Sequence, residues 1–158
     1  MKTEQQTQTA ILDKIVSLLD TAIRIPGTNI RFGLDALIGL IPGVGDSASF
    51  LISGIVVMAM AKKGVTKKIA LQMVGNIVID YLVGTIPLLG DLFDVGFKAN
   101  QRNLELLKKH QETHKNKAIK APNAKGILIM IALFLVAFLI IAGYITIEIG
   151  KVFLGMFA

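Results

Sequence analysis

Five aspartates of this chain stand in surroundings that resist charge. Asp35, Asp46, Asp80, Asp91 and Asp94 lie in or beside apolar runs, in 158 residues that are 53% hydrophobic and 18% charged. A charge near the centre of a membrane costs about 2.5–3.5 kcal/mol on insertion scales, so five such groups need partners. One chemistry that uses them is capture of a cation or proton, with backbone carbonyls freed at helix breaks completing the site. The plainer use is structural. Asp46 and Asp91 would cap the helices that follow them, and Asp35, Asp80 and Asp94 would pair with Arg24, Arg31, Lys98 or Arg102. A cap accounts for one aspartate in each half of the chain and leaves the second unexplained.

Four of these acids belong to a repeated unit. Segment 35–46 recurs at 80–91 with a constant offset of 45, and seven of the twelve aligned positions are identical. Pro42, Gly43 and Gly45 in the first unit, and Pro87 and Gly90 in the second, interrupt apolar helix: proline lacks a donor and glycine permits tight backbone. Asp46 followed by Ser47 reads as an N-cap. The units therefore predict two helical hairpins with Pro-x-x-Gly-Asp tips inside a membrane. Irregular backbone at that depth must be covered by protein or line a water-filled cavity, so the tips pack on each other or on those of other subunits.

The elements around the tips follow from periodicity. Residues 10–23 place Ile11, Ile15, Leu18, Leu19 and Ala22 on one stripe of an amphipathic helix, with Asp13, Lys14, Ser17 and Asp20 elsewhere. Pro26 and Gly27 break it. Apolar runs follow at 32–41, 47–61 and 69–86, then a helix at 92–109 with Phe93, Phe97, Leu104 and Leu107 apolar and a basic linker at 110–125. From Gly126 to Ile147, 22 residues carry no charge. At about 1.5 Å per residue they reach roughly 33 Å, enough for a bilayer core. The expected division is an amphipathic helix at 1–24, a two-repeat membrane domain at 25–109, the linker at 110–125 and a transmembrane helix at 126–158.

Net charge is +6, concentrated at Lys62, Lys63, Lys67 and Lys68 and between Lys98 and Lys125. Such clusters read as cytoplasmic loops rather than a nucleic-acid patch. Hairpin repeats put all basic segments, Arg24 and Arg31 included, on the cytoplasmic side of the plasma (inner) membrane; single spans would put most of them outside. The polar stretch 1–9 is no secretory signal, and with no cysteine the chain has neither disulfides nor thiolate chemistry.

Two shorter patterns are weaker. Gly43-Val44-Gly45-Asp46 matches the Gly-x-Gly-Asp of intramembrane aspartyl proteases, which need a second aspartate; Asp80 could supply it, but the spans are too few to enclose a peptide. His110 and His114 have a metal-gripping spacing in a polar linker, where solvated side chains are the better reading.

Segments 24–28, 31–35, 41–46, 83–94 and 97–104 together resemble a bacterial family catalogued as domain of unknown function 4112, over about residues 20–110. The resemblance implies an integral membrane protein and brings no activity or catalytic residue. The C-terminal span lies outside it. The combined reading is an all-α integral membrane protein, not an enzyme and without a cofactor. Its partners are the lipid bilayer, a cation or proton, and other copies of itself. As a homo-oligomer it would pass that ion by way of Asp35, Asp46, Asp80, Asp91 and Asp94. The alternative is a membrane scaffold in which the aspartates only cap and pair.

Overall fold

A computed structural model describes residues 2–41, 44–85, 97–114 and 124–156. Pro42, Gly43, Pro87, Gly90, Asp91 and Asp94 lie outside the described residues, so the tips as such and two of the five acids are not placed. The described chain is mostly helical: α1 (Lys2–Thr21), a hairpin of β1 (Ile23–Arg24) and β2 (Arg31–Phe32), α2 (Leu34–Gly39), α3 (Gly45–Ala61), α4 (Lys67–Gly84), α5 (Ala99–Thr113) and α6 (Ala124–Gly155). The hairpin occupies the expected break after α1. Arg24 pairs with Arg31 across it, and Gly27 takes the left-handed φ of 79° that its turn requires.

Helix ends follow local chemistry. Thr66 is extended and its side chain accepts from Ile69 N at 3.4 Å, which starts α4. The helices α2 and α4 end at Gly39 and Gly84, which are equivalent positions under the 45-residue offset. With six residues α2 is too short to hold its own shape. It is held by close backbone approach at both ends. A Cβ on Gly33 would stand 1.4 Å from the Leu19 carbonyl oxygen, and one on Gly45 would stand 2.1 Å from that of Ile38.

Four helices, α1, α3, α4 and α5, surround a core in which Val57, Met60, Val65, Met73, Ile77 and Leu107 are almost wholly buried. Tertiary contacts fix their directions. Asp13 on α1 pairs with Lys108 on α5, and Asp20 bonds to Asn100 and Gln101, so these helices run antiparallel. On α4, Asn76 donates to Asn103 Oδ1 at 2.8 Å, and Asn103 donates to the Met73 carbonyl at 3.1 Å. The long helix α6 packs on α3 and α4 through Ile127, Ile131 and Leu135, one residue per turn. Leu135 meets Gly54 and Phe138 stacks on Phe50 at 5.0 Å, so α6 runs antiparallel to α3. Its second half, from Ile140 onward, presents large apolar side chains outward. With 32 residues α6 is long and apolar enough to cross a membrane.

This packing gathers charge at one end. The 62–68 loop and the C-terminal end of α5 lie together, with His110 reaching the Gly64 carbonyl oxygen at 3.2 Å, and the antiparallel α6 starts from the same end. Arg24 and Arg31 do not join them. Their hairpin continues from the C-terminal end of α1, which lies beside the start of α5 at the other end of the bundle.

Two expectations need correction. Among the described side chains of α1, Leu12, Val16, Leu19 and Asp20 are buried, whereas Ile11, Ile15 and Leu18 are exposed. The helix has two adjacent apolar stripes, and periodicity alone does not say which one meets the core. The linker also starts later than 110: α5 continues to Thr113, with His110 buried as an anchor for the 62–68 loop rather than solvated.

Candidate functional site

Three of the five sequence-predicted aspartates converge. Asp35 stands in the first turn of α2, Asp46 in the first turn of α3, and Asp80 near the end of α4. All three line one cleft between these helices, with a volume of about 20 Å³, room for about one water molecule. Ser49 and Ser53, one and two turns along α3 from Asp46, add hydroxyls. Phe50 and Tyr81 form an aromatic wall, 5.2 Å between ring centres and edge to face, and Phe138 of α6 backs both.

Asp46 does not cap α3. The N-cap position falls on Val44, whose side chain cannot accept, and the helix has already begun when the chain reaches the aspartate. Its carboxylate lies instead between two glycines. A Cβ on Gly39 would stand 3.5 Å from Asp46 Oδ1, and one on Gly84 would stand 3.9 Å away. These glycines occupy equivalent places in the two repeats, and together they leave room for this side chain. Asp35 Oδ1 accepts from the Ala36 amide at 2.7 Å, a local bond within the first turn of α2. Two of the arginines considered as partners serve their own surroundings. Arg24 bonds to the Thr28 carbonyl and Asn29, and Arg102 bonds to the Phe97 carbonyl while lying over the Phe97 ring.

Sequence reasoning missed the residues behind the cleft. Asp20 of α1, Ser53 of α3 and Asn100 of α5 are each at most 2% exposed. Asn100 Nδ2 donates to Asp20 Oδ1 at 2.9 Å and to Ser53 Oγ at 3.1 Å, and the Gln101 amide donates to Asp20 Oδ2 at 2.8 Å. The last bond is a cap made from a distance. Lys98, which precedes α5, is left-handed (φ 46°) and offers no side-chain cap, so Asp20 supplies the carboxylate from α1. Asp20 also hydrogen-bonds to Asp35. Burial raises its pKa above the ordinary carboxylate value, opposed by the bonds from Asn100, Gln101 and Asp35 and by the charge of Lys98. The available signal was register: Asp20 follows Val16 by one turn and so continues the Leu12–Val16 stripe.

The arrangement limits the chemistry. Among the described residues no three His, Asp or Glu side chains are grouped to hold a metal ion. Asp46 and Asp80, the two acids that the protease pattern requires, share the cleft, but its volume does not admit a peptide chain. A space of that size admits a water molecule or a small ion.

No curated protein and no solved structure matches the chain. A family model described as Domain of unknown function (DUF4112) matches residues 9–111, which contain α2, α3, α4, all but the last two residues of α5 and every described residue of the cleft, and the chain belongs to that family.

Proposed function

We propose that this is an integral membrane protein that binds and passes protons or small cations through its aspartates. The observation that carries the reading is the convergence of Asp35, Asp46 and Asp80, from three helices, on one small cleft. Its setting supports membrane depth. Leu40, Ile41, Val44 and Leu82, near the cleft in sequence, are all more than half exposed, and α6 alongside is apolar throughout its contact with α3. The exposed α1 stripe of Ile11, Ile15 and Leu18 suits lipid as well. In this reading the two repeats are hairpins whose tips lie in the plasma membrane, the lysine-rich end faces the cytoplasm without Arg24 and Arg31, which lie at the other end of the bundle, and α6 crosses to the outside. A single copy has too few helices to enclose a path, so copies assemble around it.

A second reading has its own support. Asp20 ties α1 to α5, and Asp35 bonds to its own helix, which are the duties of a scaffold in which acids hold helices in place. Flux measured in proteoliposomes separates the two. Passage predicts proton or monovalent-cation flux by the wild type, reduced in Asp46→Asn and Asp80→Asn. A folded wild type that passes neither protons nor cations leaves the scaffold. Flux unchanged in both variants would keep a path but remove it from this cleft.

A further inference from the structure

The polar cluster behind the cleft leaves one buried acceptor without a hydrogen. Asp20 is faced by Asp35 from α2, by Asn100 and the Gln101 amide from α5 and by the charge of Lys98 just before α5, and Ser53 of α3 joins them through Asn100. Asn100 spends its amide hydrogens on Asp20 and Ser53, and its Oδ1, wholly buried, has no partner. An unmatched buried acceptor is costly, by about 1–3 kcal/mol. Two carboxyl groups in hydrogen-bond contact cannot both be ionised without strong repulsion, and the bond between them requires a hydrogen. The contact between the Asp20 and Asp35 carboxyl groups requires a proton, and the orphaned oxygen belongs to the side chain that already bonds to Asp20, so a second acceptor for that proton lies beside it.

We infer that Asp20, Asp35 and Asn100 form a buried proton site, in which the two carboxyl groups share one proton with Asn100 Oδ1 as its alternative acceptor. Asp35 and Ser53 belong both to this cluster and to the lining of the cleft, so they join the site to Asp46 and Asp80. A proton fits better than a metal ion, because no three acidic or histidine side chains are grouped to coordinate one among the described residues. The raised affinity of Asp20 for its proton agrees with this. The inference rests on the passage reading for its direction toward the cleft, and it names the species.

Infrared spectroscopy of the full chain in liposomes tests it without relying on flux. At neutral pH the wild type is expected to show the C=O stretch of a protonated carboxyl, shifted in heavy water, with the intensity of one group. Asp20→Asn should lose it while folding survives, since asparagine caps a helix about as well as aspartate. Asp35→Asn should lose or displace it, and Asp13→Asn should not change it. A wild type with no such band at neutral pH overturns the site, and so does a band that survives in both Asp20→Asn and Asp35→Asn. A band that appears only when sodium and potassium are withdrawn would mean that a cation holds the place, which also overturns it. Flux without the band would sink this site and leave the passage reading. The band without flux would do the reverse.

Discussion

The behaviour of single side chains here is set by what lies within a few ångströms of them. Asp20 is the clearest case. Its pKa is raised in the folded chain, so folding binds a proton that the unfolded chain gives up more easily. The stability this contributes is complete below the ordinary value of 3.8 and is lost as pH rises through the raised folded value. Thermal unfolding in detergent across that range should show the wild type losing stability as pH rises, with Asp20→Asn flatter. The opposite slope difference would contradict the assignment. Two glycines make a second comparison. A methyl on Gly45 meets the Ile38 backbone, whereas one on Gly54 would lie 2.5 Å from Leu135 Cδ1, at the end of a side chain that can turn away. Gly45→Ala should cost about 1–3 kcal/mol, and Gly54→Ala should stay within about 1 kcal/mol of wild type, since helical alanine offsets part of the contact. Denaturant titration of both decides it. At this scale the sequence revealed which acids to watch, because charge in apolar surroundings is visible residue by residue. It hid Asp20 and Asn100, whose importance depends on a partner 80 residues away.

Between residues and the whole, helices were easier to find than to orient. The breaks near residues 26, 42 and 62 were legible because proline, glycine and a lysine cluster interrupt apolar runs there. The inward face of α1 was not, because Leu12–Val16–Leu19 and Ile11–Ile15–Leu18 are equally good stripes. Leu12→Ala should cost about 2–5 kcal/mol as a buried truncation, and Ile11→Ala, one residue earlier, should cost little in unfolding measurements. Equal effects would mean that both faces are packed in the assembled protein. The expected cap at Asp46 failed for a similar reason: cap signals locate a boundary only to within a residue or two, and here the helix begins before the aspartate. Where the cap is made, at Thr66, Thr66→Ala should lower stability by about 1 kcal/mol.

For the molecule as a whole, the direction of the helices separates its chemistry by end. Lysines and His110 gather where α3 turns into α4, and the carboxylate cleft opens where α3 begins. In the proposed topology, cysteines introduced singly at Lys62 and Thr113 should respond alike to an impermeant reagent in intact cells; both are exposed, and the chain has no native cysteine. Labelling of one alone would place them on opposite sides and end the hairpin reading. The apolar length of α6 was plain in the sequence, but its seat against Gly54 was not, since a glycine and a leucine 81 positions apart carry no local sign of each other. That seat has a mechanical consequence. Only the first half of α6 touches the bundle, and near the end of the contact Phe138 leans on both Phe50 and Tyr81 of the cleft wall. A helix longer than the local hydrocarbon layer tilts to fit it. In the proposed membrane setting, tilt of the free half would turn α6 about the Gly54 contact and press or release the aromatic wall, which would make the cleft responsive to lipid chain length.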